Sequence, residues 1–197
     1  CVPKYSNPQG YSYSDETVDR FANLKPAAPD FVIMWDNAYC VHEFEGEFVP
    51  FEDIISLCQQ AGKPDMVYEF ASTSKITFPG AGISVMASSE ENIQYHLKLI
   101  GVQTISYDKV NQLRHVRFFK DIHGMVEHMR KHADIIRPKF ETVEEILKED
   151  LEGLEIGTWT NPLGGYFIMF DSYPGCAKDI VARAKKAGVT MTAAGAT

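Results

Sequence analysis

Two short apolar runs, Phe31-Val32-Ile33-Met34 and Met66-Val67-Tyr68-Glu69-Phe70-Ala71, each end directly in a polar cluster. The first cluster is Trp35-Asp36-Asn37-Ala38-Tyr39, the second Ser72-Thr73-Ser74-Lys75, and the Gly-rich turn Phe78-Pro79-Gly80-Ala81-Gly82 follows. Runs this short, bounded by turn residues, read as buried strands. In an open parallel sheet, ligands bind beyond the carboxyl ends of the strands. An acid, a phenol, a hydroxyl pair and an amine are therefore expected to converge on one crevice.

The flanking sequence supports a layered α/β chain. Cys1-Val2-Pro3 reads as the end of a strand, running into the loop Ser6-Asn7-Pro8-Gln9-Gly10. Ser14 is positioned to cap a helix that has Asp15 and Glu16 in its first turn and Val18, Phe21 and Ala22 on one face. Pro26 and Pro29 end it before the strand at 31–35. Phe51 to Gln60 reads as a second helix, stopped by Gly62-Lys63-Pro64, and Ile83 to Ala87 as a further strand. Strand, helix, strand, helix, strand is the doubly wound pattern of a parallel sheet.

From Ser89, with Glu90 and Glu91 behind it, the period turns helical to about Gly153, with breaks expected near Gly101 and Pro138. Trp159 to Phe170 reads as a turn into a strand. A last helix is expected over Cys176 to Ala187, closed by Gly188, before a short strand Val189 to Thr192. The expected division is residues 1–119 as part of a large sheet domain and 120–197 as a smaller, incomplete α+β lobe.

Composition excludes some classes. The chain has 197 residues, 45% of them hydrophobic, enough for a core. A net charge of −8 and a pI near 5.2 argue against nucleic acid as a partner, because phosphate contacts need a basic face. The one basic stretch, Arg114 to Lys139, is interleaved with Asp121, Glu127 and Asp134 and reads as a solvated helix face. Four cysteines at irregular spacing, with no CxxC, favour reduced thiols and a cytoplasmic setting. No run approaches the ~18 consecutive apolar residues of a membrane span, and no signal peptide is evident. Both ends read as cut from something longer. His123, His128 and His132 superficially suggest a metal, but there is no HExxH, and a polar helix surface with no metal is the expectation. Phe118, Phe119 and Phe140 read as core.

The chemistry centres on Lys75. Most lysines are surface solubilisers, but this one follows a strand, with hydroxyls before it and glycines behind it, where phosphate and backbone meet. An amine that attacks a carbonyl must be deprotonated, so it needs a site that lowers its pKa. Asp36 could be a strand-end turn former, or a carboxylate facing a pyridine nitrogen. Tyr39 could be an ordinary half-buried aromatic, or a donor to a phenolate oxygen, and Asn7 could be only a turn residue before Pro8. Taken together, the set suits pyridoxal 5'-phosphate.

Asn7-Pro8-Gln9-Gly10, Asp36-Asn37-Ala38-Tyr39 and Ser72-Thr73-Ser74-Lys75 resemble the fold-type I, class I/II aminotransferases that depend on pyridoxal phosphate. The nearest branch is the aspartate or alanine–glyoxylate aminotransferase group, which Trp159, Asn161-Pro162 and Gly164-Gly165-Tyr166-Phe167 also resemble. The resemblance spans nearly the whole chain. It implies that Lys75 is catalytic and forms the internal aldimine, a Schiff base. It further implies that Asn7 and Tyr39 bond the cofactor's ring oxygen, that Asp36 pairs with the pyridinium nitrogen, and that Ser72 binds phosphate with Ser74 beside it. The substrates implied are an amino acid and a 2-oxo acid, and the full-length protein is implied to be a homodimer.

Departures from the family pattern are equally definite. Many members carry a phosphate-binding arginine shortly after the lysine, whereas Gly80-Ala81-Gly82-Ile83 holds no basic residue. The substrate-carboxylate arginine is expected just after the terminal Ala-Gly-Ala-Thr, and the family's N-terminal half has no counterpart here. The chain thus reads as roughly the second half of such an enzyme, inactive in isolation. Two alternatives share the motif: an aminotransferase-like effector domain of a transcription regulator, and a β-lyase or decarboxylase using the same lysine.

Overall fold

The structure, a computed structural model, describes residues 1–45 and 48–193. Three strands form its main sheet in the order β1 (Ile33–Asp36), β2 (Val67–Ser72), β3 (Ser84–Ala87). β1 and β2 are parallel, with Ile33 opposite Val67 and Asp36 opposite Phe70. Cys1 extends the sheet beyond β1. Its N–H donates to the Met34 carbonyl (2.8 Å) and its carbonyl accepts from the Asp36 N–H (2.8 Å), the spacing of a parallel partner.

In a sheet expected to be mostly parallel, β3 is the exception. It runs antiparallel to β2, with Ser72 opposite Ser84 and Glu69 opposite Ala87. The cause is the connection: Thr73 to Ile83 holds no helix long enough to carry the chain back across the sheet, and a parallel return needs such a crossover.

Helices α1 (Asp15–Ala22) and α2 (Ile54–Gln60) cover one face. Ser14 accepts from the Thr17 N–H, and Asp53 accepts from Ile55 and Ser56, so each first turn has a capped donor. β1 alternates buried and exposed residues. Ile33 and Trp35 point into a core with Val18, Ala22, Ile54, Cys58, Met66 and Val67. The Trp35 ring meets Tyr13 at 5.8 Å and Phe21 at 5.9 Å, both edge-on. Met34 and Asp36 therefore face the open side of the sheet.

The long helical region divides into α3 (Glu90–Gln103), α4 (Lys109–Phe119) and α5 (Ile122–Leu151), capped by Ser89, Asp108 and Asp121. The breaks fall after Gln103 and at Lys120, whose φ is +66°; Gly101 and Pro138 both lie inside helices. Pro138 is tolerated because the carbonyl it leaves unbonded, that of Asp134, is at an exposed position. Met129, Ala133 and Phe140 stay buried on the opposite side.

β4 (Gly157–Trp159) and β5 (Phe170–Ser172) form a separate antiparallel pair that frames the loop 160–169. α6 (Ala177–Lys186) ends as expected. Gly188, at φ +93°, donates to Lys185 and Val189 donates to Ala184, the Schellman pattern. Residues 189–192 form no strand, because no sheet edge among the described residues receives them. The segment 194–197, after which the carboxylate arginine is expected, lies outside the described residues. No described helix is long and apolar enough to cross a membrane.

Candidate active site

Asp36 is the last residue of β1 and Ser72 the last of β2, so the parallel pair delivers both to the same end of the sheet. The loop 73–83 covers that end and carries Lys75. Its first part is a tight turn: the Ile76 and Thr77 N–H groups both donate to the Thr73 carbonyl, at 3.0 and 2.8 Å. The chain then closes on itself at Gly82. A Cβ there would lie 3.3 Å from both the Ser74 nitrogen and the Thr73 hydroxyl, so glycine permits this approach.

The Lys75 side chain is exposed, and its Nζ lies 5.0 Å from the Tyr39 ring centroid, over the π face. Tyr39 is only 2% exposed, with His42, Tyr166 and Phe167 around it edge-on. Burial raises the Tyr39 pKa above the usual phenol value, and the Asp36 carboxylate and Tyr166 push it further in the same direction. Tyr39 thus keeps its proton at neutral pH and can donate it to an anionic oxygen. The Ser72 and Ser74 hydroxyls are 2.9 Å apart.

Lys75, Tyr39 and Asp36 are therefore neighbours, and Ser72 and Ser74 form a pair at the base of the same loop. Asn7 is placed differently. It is exposed in a turn closed by the Gly10 N–H on the Ser6 carbonyl (2.6 Å), and its bond to Pro8 is cis. Among the described residues, no hydrogen bond joins its side chain to Asp36, Tyr39 or Lys75.

A fourth segment, the loop 160–169, completes the wall. The Gly165 N–H donates to the His42 carbonyl (2.9 Å) and the Phe44 N–H to Leu163 (3.0 Å). A Cβ on Gly164 would collide with the His42 carbonyl and come within 2.7 Å of the Tyr5 ring, so this docking requires glycine. It brings the Tyr166 hydroxyl to 3.1 Å from the Lys75 carbonyl, to which it donates.

Several contributors lie outside the expected set. His42, 5% exposed, bonds the Lys75 carbonyl through Nε2 at 3.3 Å. Burial pulls its pKa down to about 4, so it is neutral at pH 7. His128 lies on no solvated face: it is half-buried, with Nε2 2.8 Å from the Ile76 carbonyl. His115, absent from the sequence expectations, lies within 3.0 Å of both the Thr73 and Thr77 hydroxyls. Beneath the site, the buried Lys4 pairs with Glu43 and donates to the Cys40 and Val49 carbonyls, each at 3.0 Å. Phe140 and Phe119 pack inside, as expected, but Phe118 is 61% exposed. No group of three or more His, Cys, Asp or Glu among the described residues is arranged to hold a metal.

Fold and site together define an α/β chain of the aminotransferase kind. Solved structures with little sequence similarity share the fold. One is an α-aminoadipate aminotransferase from Thermus thermophilus, complexed with N-(5'-phosphopyridoxyl)-L-leucine (TM-score 0.74, 22% identity, 96% of this chain and 47% of that one). The model of the aspartate amino-transferase family matches residues 1–197, and the chain belongs to that family. A Mycolicibacterium smegmatis protein named as an aminotransferase is 50% identical over 195 residues, 99% of this chain and 46% of its own. An aspartate aminotransferase of Corynebacterium glutamicum is 44% identical over 194 residues, 98% of this chain and 45% of its own. The crystal structure of an aspartate transaminase from that organism superposes with a TM-score of 0.94 at 44% identity, covering 99% of this chain and 46% of the other. The chain spans about half the length of the curated relatives it matches.

Proposed function

We propose that this chain is the lysine-bearing half of a pyridoxal-phosphate-dependent aminotransferase that moves an amino group between an amino acid and a 2-oxo acid. The observation that carries the reading is the convergence of Lys75, Tyr39 and Asp36 at the carboxyl ends of two parallel strands, in a chain of the aspartate amino-transferase family. The donor set fits that cofactor: an exposed amine, an exposed carboxylate, a protonated phenol and a hydroxyl pair 2.9 Å apart in a loop that also holds Gly80 and Gly82. Bound there, pyridoxal phosphate would supply the electron sink that such a transfer needs.

Each residue has a role in that reading. Lys75 Nζ would hold the cofactor, and as a free amine would take a proton from the substrate carbon and return it. Asp36 keeps a pyridine nitrogen protonated. The Tyr39 hydroxyl would donate a hydrogen bond to the ring oxygen, and the same role for Asn7 rests on the family resemblance alone. The Ser72 and Ser74 hydroxyls would take the phosphate.

The same reading extends to organisation. The proposed division is a large-domain portion, 1–119, and a smaller lobe, 120–197; the break between α4 and α5 at Lys120, at φ +66°, supports it. Exposed apolar residues on and beside α3 and α4, Val102 at 90% and Ile105 fully exposed among them, support a further protein surface and a homodimer in the full-length protein. Unpaired cysteines support a cytoplasmic setting. The test is Lys75→Ala in the full-length protein, assayed for amino-group transfer to 2-oxo acids. Loss of transfer supports the reading, and normal turnover overturns it. Ammonia or carbon dioxide in place of a new amino acid would identify a β-lyase or a decarboxylase instead.

A further inference from the structure

Three histidines from three separate segments close on the one turn that carries Lys75. His42, from the loop after β1, bonds the Lys75 carbonyl. His128, from α5, bonds the Ile76 carbonyl at 2.8 Å. His115, from α4, meets the Thr73 hydroxyl at 3.0 Å and the Thr77 hydroxyl at 2.9 Å, two residues to either side of the lysine.

The proton positions follow from the partners. A carbonyl only accepts, so His42 and His128 each carry their N–H on Nε2. His115 has a carbonyl at its other nitrogen, that of Asn111 at 2.9 Å, so Nδ1 donates there and the Nε2 lone pair accepts from one of the two threonine hydroxyls. Thr73 in turn accepts from the Ile83 N–H at 3.0 Å, which ties the turn to the start of β3. Asn111, one helical turn before His115, donates to the Ala81 and Gly82 carbonyls at 2.7 and 3.0 Å. One face of α4 therefore grips both ends of the loop.

The grip is buried while the amine is free. His115 is 7% exposed and His42 is 5% exposed, whereas the Lys75 side chain is exposed, with its amine over the Tyr39 ring face at 5.0 Å. Peptide orientation in the turn fixes the direction in which the lysine side chain leaves the backbone. We propose that His42, His115 and His128 are positioning residues that clamp the turn and so set where the Lys75 amine points. The proposal rests on reading Lys75 as the cofactor-bearing amine.

The test uses the full-length protein and four variants: His115→Ala, His115→Gln, Thr73→Val with Thr77→Val, and that pair combined with His115→Ala. Each is treated with pyridoxal phosphate, reduced with borohydride and digested, and labelling is quantified at Lys75 against the exposed Lys131 and Lys185. Steady-state kinetics and the melting temperature are measured alongside. His115→Ala should slow labelling at Lys75 alone and lower kcat on the order of 10²-fold, the scale of a ~1 Å misplacement, with KM changed far less. His115→Gln, which keeps a polar atom near the Nε2 position, should recover part of both. Adding His115→Ala to the double valine variant should cost little more, because the groups act as one unit. Should His115→Ala fail to fold, the valine variant, which keeps α4 and the histidine, carries the same expectation. Unchanged labelling and kcat in a folded variant would overturn the clamp, as would a uniform loss across all lysines with no rescue by glutamine. Absence of labelling at Lys75 in the unmodified protein would instead overturn the assignment of Lys75 itself.

Discussion

The Lys75 amine lies over the ring face of Tyr39, 5.0 Å from its centroid, although the two residues come from loops after different strands. The parallel pairing of β1 with β2 makes them neighbours. Tyr39→Phe keeps the ring under the amine and removes only the hydroxyl. A hydrogen bond to a charged group is worth ~1.5–3 kcal/mol, so kcat in the full-length protein should fall about 10- to 100-fold with the fold intact. Steady-state kinetics with matched melting curves would check this.

Asp36 ends β1 on the open face of the sheet, clear of the core beneath Trp35. Opposite charges ~4 Å apart at an effective dielectric near ~20 attract by ~4 kcal/mol, about 10³-fold in rate. Asp36→Asn should lose activity on that scale while cofactor binding, followed by its absorbance, persists. Because the side chain is exposed, thermal stability should barely move.

Lys4 and Glu43 form a buried pair, with side chains 3% and 10% exposed. Removing one partner strands a charge in the interior. Lys4→Ala should cost ~3–5 kcal/mol, whereas Lys4→Met combined with Glu43→Leu should recover most of that. Urea unfolding of the single and double variants would measure the difference.

His42 gives the chain an acid limb. Its folded pKa, about 4, lies below the ordinary 6.5, because burial disfavours the charged form. Between those values the unfolded state binds a proton that the folded state does not, so stability rises with pH across the window and is lost as pH falls from 6.5 toward 4. The slope is ~1.4 kcal/mol per pH unit, for a total of ~3 kcal/mol. His132, also lowered by burial and by His128, adds in the same direction. Unfolding free energies at pH 7 and pH 5 should differ accordingly, and His42→Gln should shrink the difference.

Much of this architecture is legible in the chain because its signals are local. Ser14, Ser89 and Gly188 mark helix ends by chemistry that acts within one turn, and each acts there. The polar clusters after two apolar runs mark the site for the same reason. The direction of β3 depends on whether a crossover can fit between Ser72 and Ser84, which is a question of connection length and not of local period. Pro138 shows the reverse case, since a strong local breaker is overridden where the freed carbonyl is at an exposed position. The histidines are the least legible part of the candidate site. His128 looks like a charged-face residue, and its partner Ile76 is far away in sequence. The visible clue to His115 was the Thr73 and Thr77 spacing around Lys75, which presents two hydroxyls on one side of a turn.

We propose Lys75 as the amine that carries pyridoxal phosphate. Incubating the full-length protein with the cofactor, reducing with borohydride and mapping the modified peptide by mass tests this directly. Stoichiometric labelling at Lys75, lost in Lys75→Ala, is the expected result. Labelling scattered over surface lysines, or no labelling, would contradict it.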